Sequence, residues 1–102
     1  MSAVRRETIT ASVDAERGVF MISVAAELAH MHPQTLRTYE ARGLIEPQRS
    51  PKNTRLYSQR DVELLQRIQQ LTAEGLNLAG VQRVLALERR LRELEGDGNA
   101  AG

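Results

Sequence analysis

The spacing of apolar and polar residues divides this chain into segments before its composition is considered. Residues 1–18, MSAVRRETITASVDAERG, are polar, mixed in charge and without a sustained period, and they end in glycine. They read as a mobile arm, in which TITASV adds a short strand only where another strand pairs with it. Order is expected to begin at the apolar run Val19-Phe20-Met21-Ile22. Ser23 then suits the N-cap of a helix over about residues 24–29, in which Ala25, Leu28 and Ala29 recur at helical spacing. A second helix is expected to start at Pro33, whose missing N–H costs nothing at the first helical position. It should stop near Arg42, with Gly43 supplying the left-handed residue that closes it. Two short helices joined by about three residues make a helix-turn-helix pattern.

Beyond Gly43 the pattern changes. The stretch EPQRSPKNTRLY, residues 46–57, has two prolines, a turn-rich centre and an alternating exit. It predicts a short β-hairpin with residues 50–54 at the tip. Ser58 and Asp61 have the spacing of a capping box, and a helix of about 16 residues should follow. Its Val62, Leu65, Ile68 and Leu71 form one apolar stripe with Leu64 alongside, and Glu74-Gly75 should end it. Asn77 can cap a last helix, in which Val84, Leu87, Leu91 and Leu94 are spaced three, four and three, as in an a/d seam. The seam is about two heptads long, short of the three or four that define a coiled coil. The closing GDGNAAG reads as disordered. The division expected is an arm over 1–18, a helix-turn-helix and hairpin domain over 19–76, a seam helix over 77–95 and a tail over 96–102.

Composition narrows the function. Hydrophobic residues make up 41% of the chain, but Tyr and Phe together number only three and Trp is absent, so the core must be aliphatic and offers little for a large enzyme-like cavity. There is no cysteine, hence no disulfide, thiolate metal site or cysteine nucleophile. No apolar run approaches the roughly 20 residues that span a bilayer, and a secretory signal is not evident. A cytoplasmic protein with no membrane partner is expected. Paired carboxylates, a Ser/His/Asp grouping and a glycine-rich phosphate loop are all missing, so no catalytic residue is assigned and an enzyme is not expected. His30 and His32 stand two apart across the expected turn with no clustered carboxylate, and neither a metal nor another cofactor is assigned to them.

The net charge is only +1, but it is unevenly placed. Residues 1–36 carry three basic and four acidic groups, and residues 61–102 carry five and seven. Residues 37–60 carry Arg37, Arg42, Arg49, Lys52, Arg55 and Arg60 against Glu40 and Glu46, a net +4. Such a belt is an electrostatic footprint for phosphate, or else a solvated surface. With Leu36 as the core anchor of the second helix, Gln34, Arg37, Thr38 and Ala41 fall on another face. Arg can bind guanine bidentately and Gln can pair with adenine, while small Thr38 and Ala41 permit close approach to a groove. The second helix of a helix-turn-helix is the one that enters the major groove. Arg49, Lys52, Asn53 and Arg55 on the hairpin would then reach flanking phosphate or the minor groove. Ser23, His32 and Arg42, at the helix ends, complete the residues expected to touch duplex DNA. Tyr39 and Tyr57 each have two readings, core packing or a phosphate hydrogen bond.

The stretches ISVAAELAHMHPQTLRTYEARGLI, RLYSQRDVELLQRI and EGLNLAGVQRVLALE resemble the DNA-binding domain of the MerR family over about residues 20–90. MHPQTLRTYE and NLAGV are most similar to its heat-shock repressor branch. The resemblance implies a mainly α, winged helix-turn-helix fold with a C-terminal dimerisation helix, and a homodimer on an inverted repeat. It also implies DNA contacts by Arg37, Tyr39, Arg55 and Tyr57, with Val84, Leu87, Leu91 and Leu94 in the dimer. For the branch it implies repression of chaperone genes, with the chaperone DnaK as a possible co-repressor. The chain departs from the family at the turn, where His30 stands for a usual glycine, and at the wing tip SPKNT, which is not glycine-rich. An architectural or excisionase-like DNA-bending module, and a helical adaptor with an incidental basic belt, are the rival readings.

Overall fold

The computed structural model describes residues 15–101, without the side chains of residues 97–101. The expected TITASV strand lies outside the described residues. Elements follow in the order α1 (Ile22–Ala29), α2 (Pro33–Ala41), β1 (Gln48–Arg49), β2 (Arg55–Leu56), α3 (Gln59–Ala73) and α4 (Leu78–Ala101). The chain divides into two compact units, the first ending at Arg67 and the second starting at Ile68.

The first unit is a winged helix-turn-helix. Ala25, Ala26 and Ala29 are buried on α1, and their small side chains let α2 approach and seat the fully buried Leu36. Ile45, Tyr57, Val62 and Leu65 complete this core, with Phe20, Ile22, Met31, Tyr39 and Leu64 packed against it. Ser23 does not cap α1. The helix starts two residues earlier than a Ser23 cap would require, and Met21 is the N-cap with no side-chain hydrogen bond. The reason is a tertiary one: Phe20 pairs with Tyr57 through hydrogen bonds of 2.9 Å and 2.7 Å. This bridge holds the chain extended up to Met21 (φ −68°, ψ 161°), and the helix begins directly after it.

Helices α1 and α2 end in the same way. The N–H groups of His30 and Met31 donate to the carbonyls of Glu27 and Ala26, and those of Gly43 and Leu44 donate to Glu40 and Tyr39. Each pair is a Schellman motif, which needs a left-handed residue at its corner. Gly43 fills that corner with φ 77°, and His30 fills the other with φ 58° and ψ 45°. Histidine can stand there because it is among the non-glycine residues that tolerate this region, at some cost in strain.

The wing pairs Gln48 with Leu56 and Arg49 with Arg55. Its tip closes through Ser50 N–H to Thr54 O (2.9 Å) and Asn53 N–H to Ser50 O (2.8 Å), with Asn53 at φ 66°. The Ser50 hydroxyl oxygen accepts from the N–H of both Lys52 and Thr54. The expected tip over residues 50–54 is therefore observed. Part of the expected arm belongs to the fold: the N–H of Gly18 donates to Gln48 Oε1 (2.8 Å), Gln48 Nε2 donates to Glu16 O (3.2 Å), and Arg60 N–H donates to Ala15 O (2.9 Å). Gly18 passes so close to the wing that a Cβ there would lie 2.8 Å from the Leu56 carbonyl oxygen. The capping box forms as the spacing predicts, with Ser58 N–H on Asp61 Oδ2 (2.9 Å) and Asp61 N–H on Ser58 Oγ (3.0 Å).

In the second unit Ile68, Leu71 and Val81 are buried. Gly75 (φ 102°) closes α3 in a third Schellman motif, with its N–H on Thr72 O and that of Leu76 on Leu71 O. Asn77 Oδ1 accepts from Gly80 N–H at 2.8 Å and so caps α4 as expected. The helix continues past Glu95, where the glycines suggest an end, to Ala101. A glycine in a helix interior costs about 1 kcal/mol relative to alanine but raises no steric bar to continuing it.

Candidate nucleic-acid interface

Helix α2 starts as its sequence dictates. Pro33 is at its first turn, and the N-cap His32 uses Nδ1 to accept from Gln34 N–H at 3.0 Å. This bond requires the neutral ring with Nδ1 unprotonated. Leu36 is the one fully buried residue of the helix, and Gln34, Arg37, Thr38 and Ala41 are all exposed. The expected stripe is thus presented to solvent. Gln34 Oε1 and Arg37 Nη1 meet in a long contact of 3.5 Å, which orders two potential base-reading groups relative to each other. The Thr38 hydroxyl donates back to Gln34 O at 3.0 Å, so its proton is committed to the backbone. Arg42 follows as the exposed C-cap, and Ser23 is exposed in the first turn of α1.

The wing sits beside this helix through an acid that sequence reasoning left aside. Glu40 on α2 accepts from Arg49 Nη2 on β1 with Oε2, at 3.0 Å, and from Arg55 Nε on β2 with Oε1. The hydrogen bond to Glu40 raises the Arg55 pKa above its ordinary value, outweighing the opposing effect of desolvation. Arg55 stays a cation at any physiological pH. Arg49 also reaches Asn53 O at 3.4 Å. Lys52 and Asn53 are exposed at the tip. A signal for Glu40 did exist in the sequence, as one of only two acids within the net +4 belt.

The two tyrosines separate. Tyr39 is half-buried and packs against the core. Tyr57 is fully buried, and its hydroxyl has no hydrogen-bond partner. Of its two readings the structure supports packing: a ring with no exposed surface reaches no phosphate in this conformation. Burial raises the Tyr57 pKa, and Glu40 raises it further, while Arg55, Arg37 and Arg49 pull it down. The residues left both readings of Tyr57 open, because the alternating RLY pattern does not reveal the backbone bridge to the distant Phe20.

Comparisons with known proteins agree with this geometry. Residues 20–88 match the family described as MerR HTH family regulatory protein. The chain is 51% identical over 78 residues to the "Putative heat shock protein HspR" of Streptomyces coelicolor, covering 76% of this chain and 52% of that protein. It thus spans about half the length of that relative. Among solved structures it is similar to the regulator PbrR691 of Ralstonia metallidurans in complex with lead(II), with a TM-score of 0.68 and 32% identity. That match covers 80% of this chain and 65% of the other. It is also similar to HiNmlR, a MerR family regulator lacking the sensor domain and bound to promoter DNA, with a TM-score of 0.63 and 25% identity. There the match covers 78% of this chain and 67% of the other. With an exposed helix-turn-helix stripe, an adjoining basic wing and this match over most of its length, the chain belongs to the MerR family of helix-turn-helix regulatory proteins.

Proposed function

We propose that this protein is a sequence-specific DNA-binding repressor that works in the cytoplasm as a homodimer on an inverted-repeat operator. The observation that carries the reading is the exposed stripe Gln34, Arg37 and Thr38 on α2, set beside a wing with Lys52 and Asn53 at its tip. Arg37 and Gln34 supply base-edge chemistry, and the wing supplies cations for phosphate. The residues proposed to touch DNA are Ser23, His32, Gln34, Arg37, Thr38, Tyr39, Arg42, Arg49, Lys52, Asn53 and Arg55. Tyr57 joins them only if DNA binding uncovers its hydroxyl. Dimerisation is assigned to Val84, Leu87, Leu91 and Leu94. Leu87, Leu91 and Leu94 are 66%, 56% and 55% exposed in the single chain, and burying each is worth roughly 1.5–3 kcal/mol. Two-fold pairing suits two recognition helices about 34–36 Å apart, one helical turn of DNA.

The likeness to a putative heat shock protein supports heat-shock genes as the targets; chaperone genes among them, and the chaperone DnaK as a co-repressor, are proposed on the family resemblance of the sequence alone. Selection of bound duplexes from a random-sequence pool tests the proposal. Inverted repeats with half-sites one turn apart are the expected product. Retained duplexes without a common sequence would indicate an architectural protein, and no retention at low salt would indicate an adaptor.

A further inference from the structure

Glu40 has no place among groups that read bases or hold phosphate, yet it is among the most engaged side chains of the first unit. One carboxylate oxygen accepts from Arg49 on β1 and the other from Arg55 on β2. These two arginines are direct cross-strand neighbours in the wing. Like charges placed directly opposite each other on a ladder repel, so the pair needs an anion between its heads. The anion comes from the recognition helix rather than from the wing itself. A single side chain therefore fastens α2 to both strands at once, and the three groups together carry one positive charge instead of two. Glu40 and Arg55 are only 22% and 33% exposed, which fixes their geometry more firmly than that of an open surface pair.

We propose that Glu40 is a positioning residue that sets DNA specificity, by locking the wing to the recognition helix and by withholding one unit of positive charge from non-cognate phosphate. The inference rests on the DNA-binding reading above. Attraction to random duplex depends on how many phosphates the free cations neutralise, and Glu40 lowers that number. Binding to a fitting site gains instead from helix and wing arriving in one fixed arrangement, since no ordering cost remains at the moment of contact.

The test measures binding of the full chain to a random-sequence duplex and to a duplex selected on the wild type, at several salt concentrations. Glu40→Gln should bind random duplex several-fold more tightly at low salt, with the log–log salt slope steeper by about one unit. Its preference for the selected duplex should fall. The double variant Glu40→Gln with Arg49→Gln restores the net charge, so its salt slope should return to the wild-type value while the preference stays low. A Glu40→Gln protein with an unchanged slope, or one weakened equally on both duplexes, would reduce Glu40 to a stabilising contact and overturn the proposal. Thermal melting reports whether this variant folds. If it does not, Glu40→Asp keeps the charge but is too short to hold both arginines. That variant should keep the wild-type slope with a lower preference, and an unchanged preference would overturn the proposal. A wild type that shows no salt-dependent binding to either duplex would instead overturn the DNA-binding reading, and this inference with it.

Discussion

Helices α2 and α4 are alike in burying little and differ in what they leave outside. On α2 a single leucine, Leu36, is fully buried, and the exposed stripe is Gln34, Arg37, Thr38 and Ala41. On α4 Val81 is fully buried, and the exposed residues include Leu87, Leu91 and Leu94. A polar, cationic face is stable in water and becomes stronger only when an anion meets it, so it can wait for its ligand. A leucine face in water carries a standing penalty that only burial removes. On the proposed function the two helices take different partners: α2 a phosphate-bearing, hydrogen-bonding groove, and α4 another apolar helix. The difference also separates their regulation by solution conditions. Salt should weaken what α2 does far more than what α4 does.

The largest effect is expected from the apolar face. Leu87→Asp with Leu91→Asp should abolish self-association, since each leucine contributes roughly 1.5–3 kcal/mol when buried. Sedimentation should report a folded monomer, and binding to a full inverted repeat should fall to that of a half-site. Next in size is the polar face. Arg37→Ala should cost roughly 1–3 kcal/mol of discrimination between a selected and a random duplex. Equal weakening on the two duplexes would make Arg37 a phosphate contact and blur the contrast between reading and holding DNA. Smaller again is the wing tip, where Lys52→Ala should weaken all sequences alike and lower the salt slope by about one unit. A slope that titration finds unchanged would remove the tip from the interface.

The smallest effect concerns the turn that sets α2 against α1. His30→Gly should relax the left-handed corner at φ 58° and stabilise the fold by up to about 1 kcal/mol, read by chemical denaturation. A loss of stability would show that the contacts of the His30 side chain outweigh the backbone strain.

Much of this architecture was legible in the residues because it depends on local chemistry. Pro33 and Gly43 bracket α2, Ser58 and Asp61 close a capping box, and Asn77 caps α4, each through atoms within a few residues of one another. The leucine and valine stripe of α3 is legible for the same reason, since a helix fixes its faces by period alone. The misreadings share a non-local cause. Ser23 has good cap chemistry, but the Phe20–Tyr57 bridge decides where α1 starts. Tyr57, whose place the sequence left open between core and phosphate, is buried in a core assembled from several distant segments. Residues 15–18 read as arm because their attachment runs through backbone groups, which Gln48 and Arg60 engage and no side-chain pattern reveals. Glu40 escaped notice for a related reason: its importance comes from the register that sets Arg49 opposite Arg55, and register is a property of the folded hairpin.

The central claim is that a polar face finds DNA while an apolar face makes the dimer that uses it. Sedimentation of the wild type at micromolar concentration, alone and with a selected inverted-repeat duplex, tests it most directly. The account predicts two chains on each duplex, and two chains in the free protein unless DNA is needed to assemble them. A single chain both free and on DNA would contradict it.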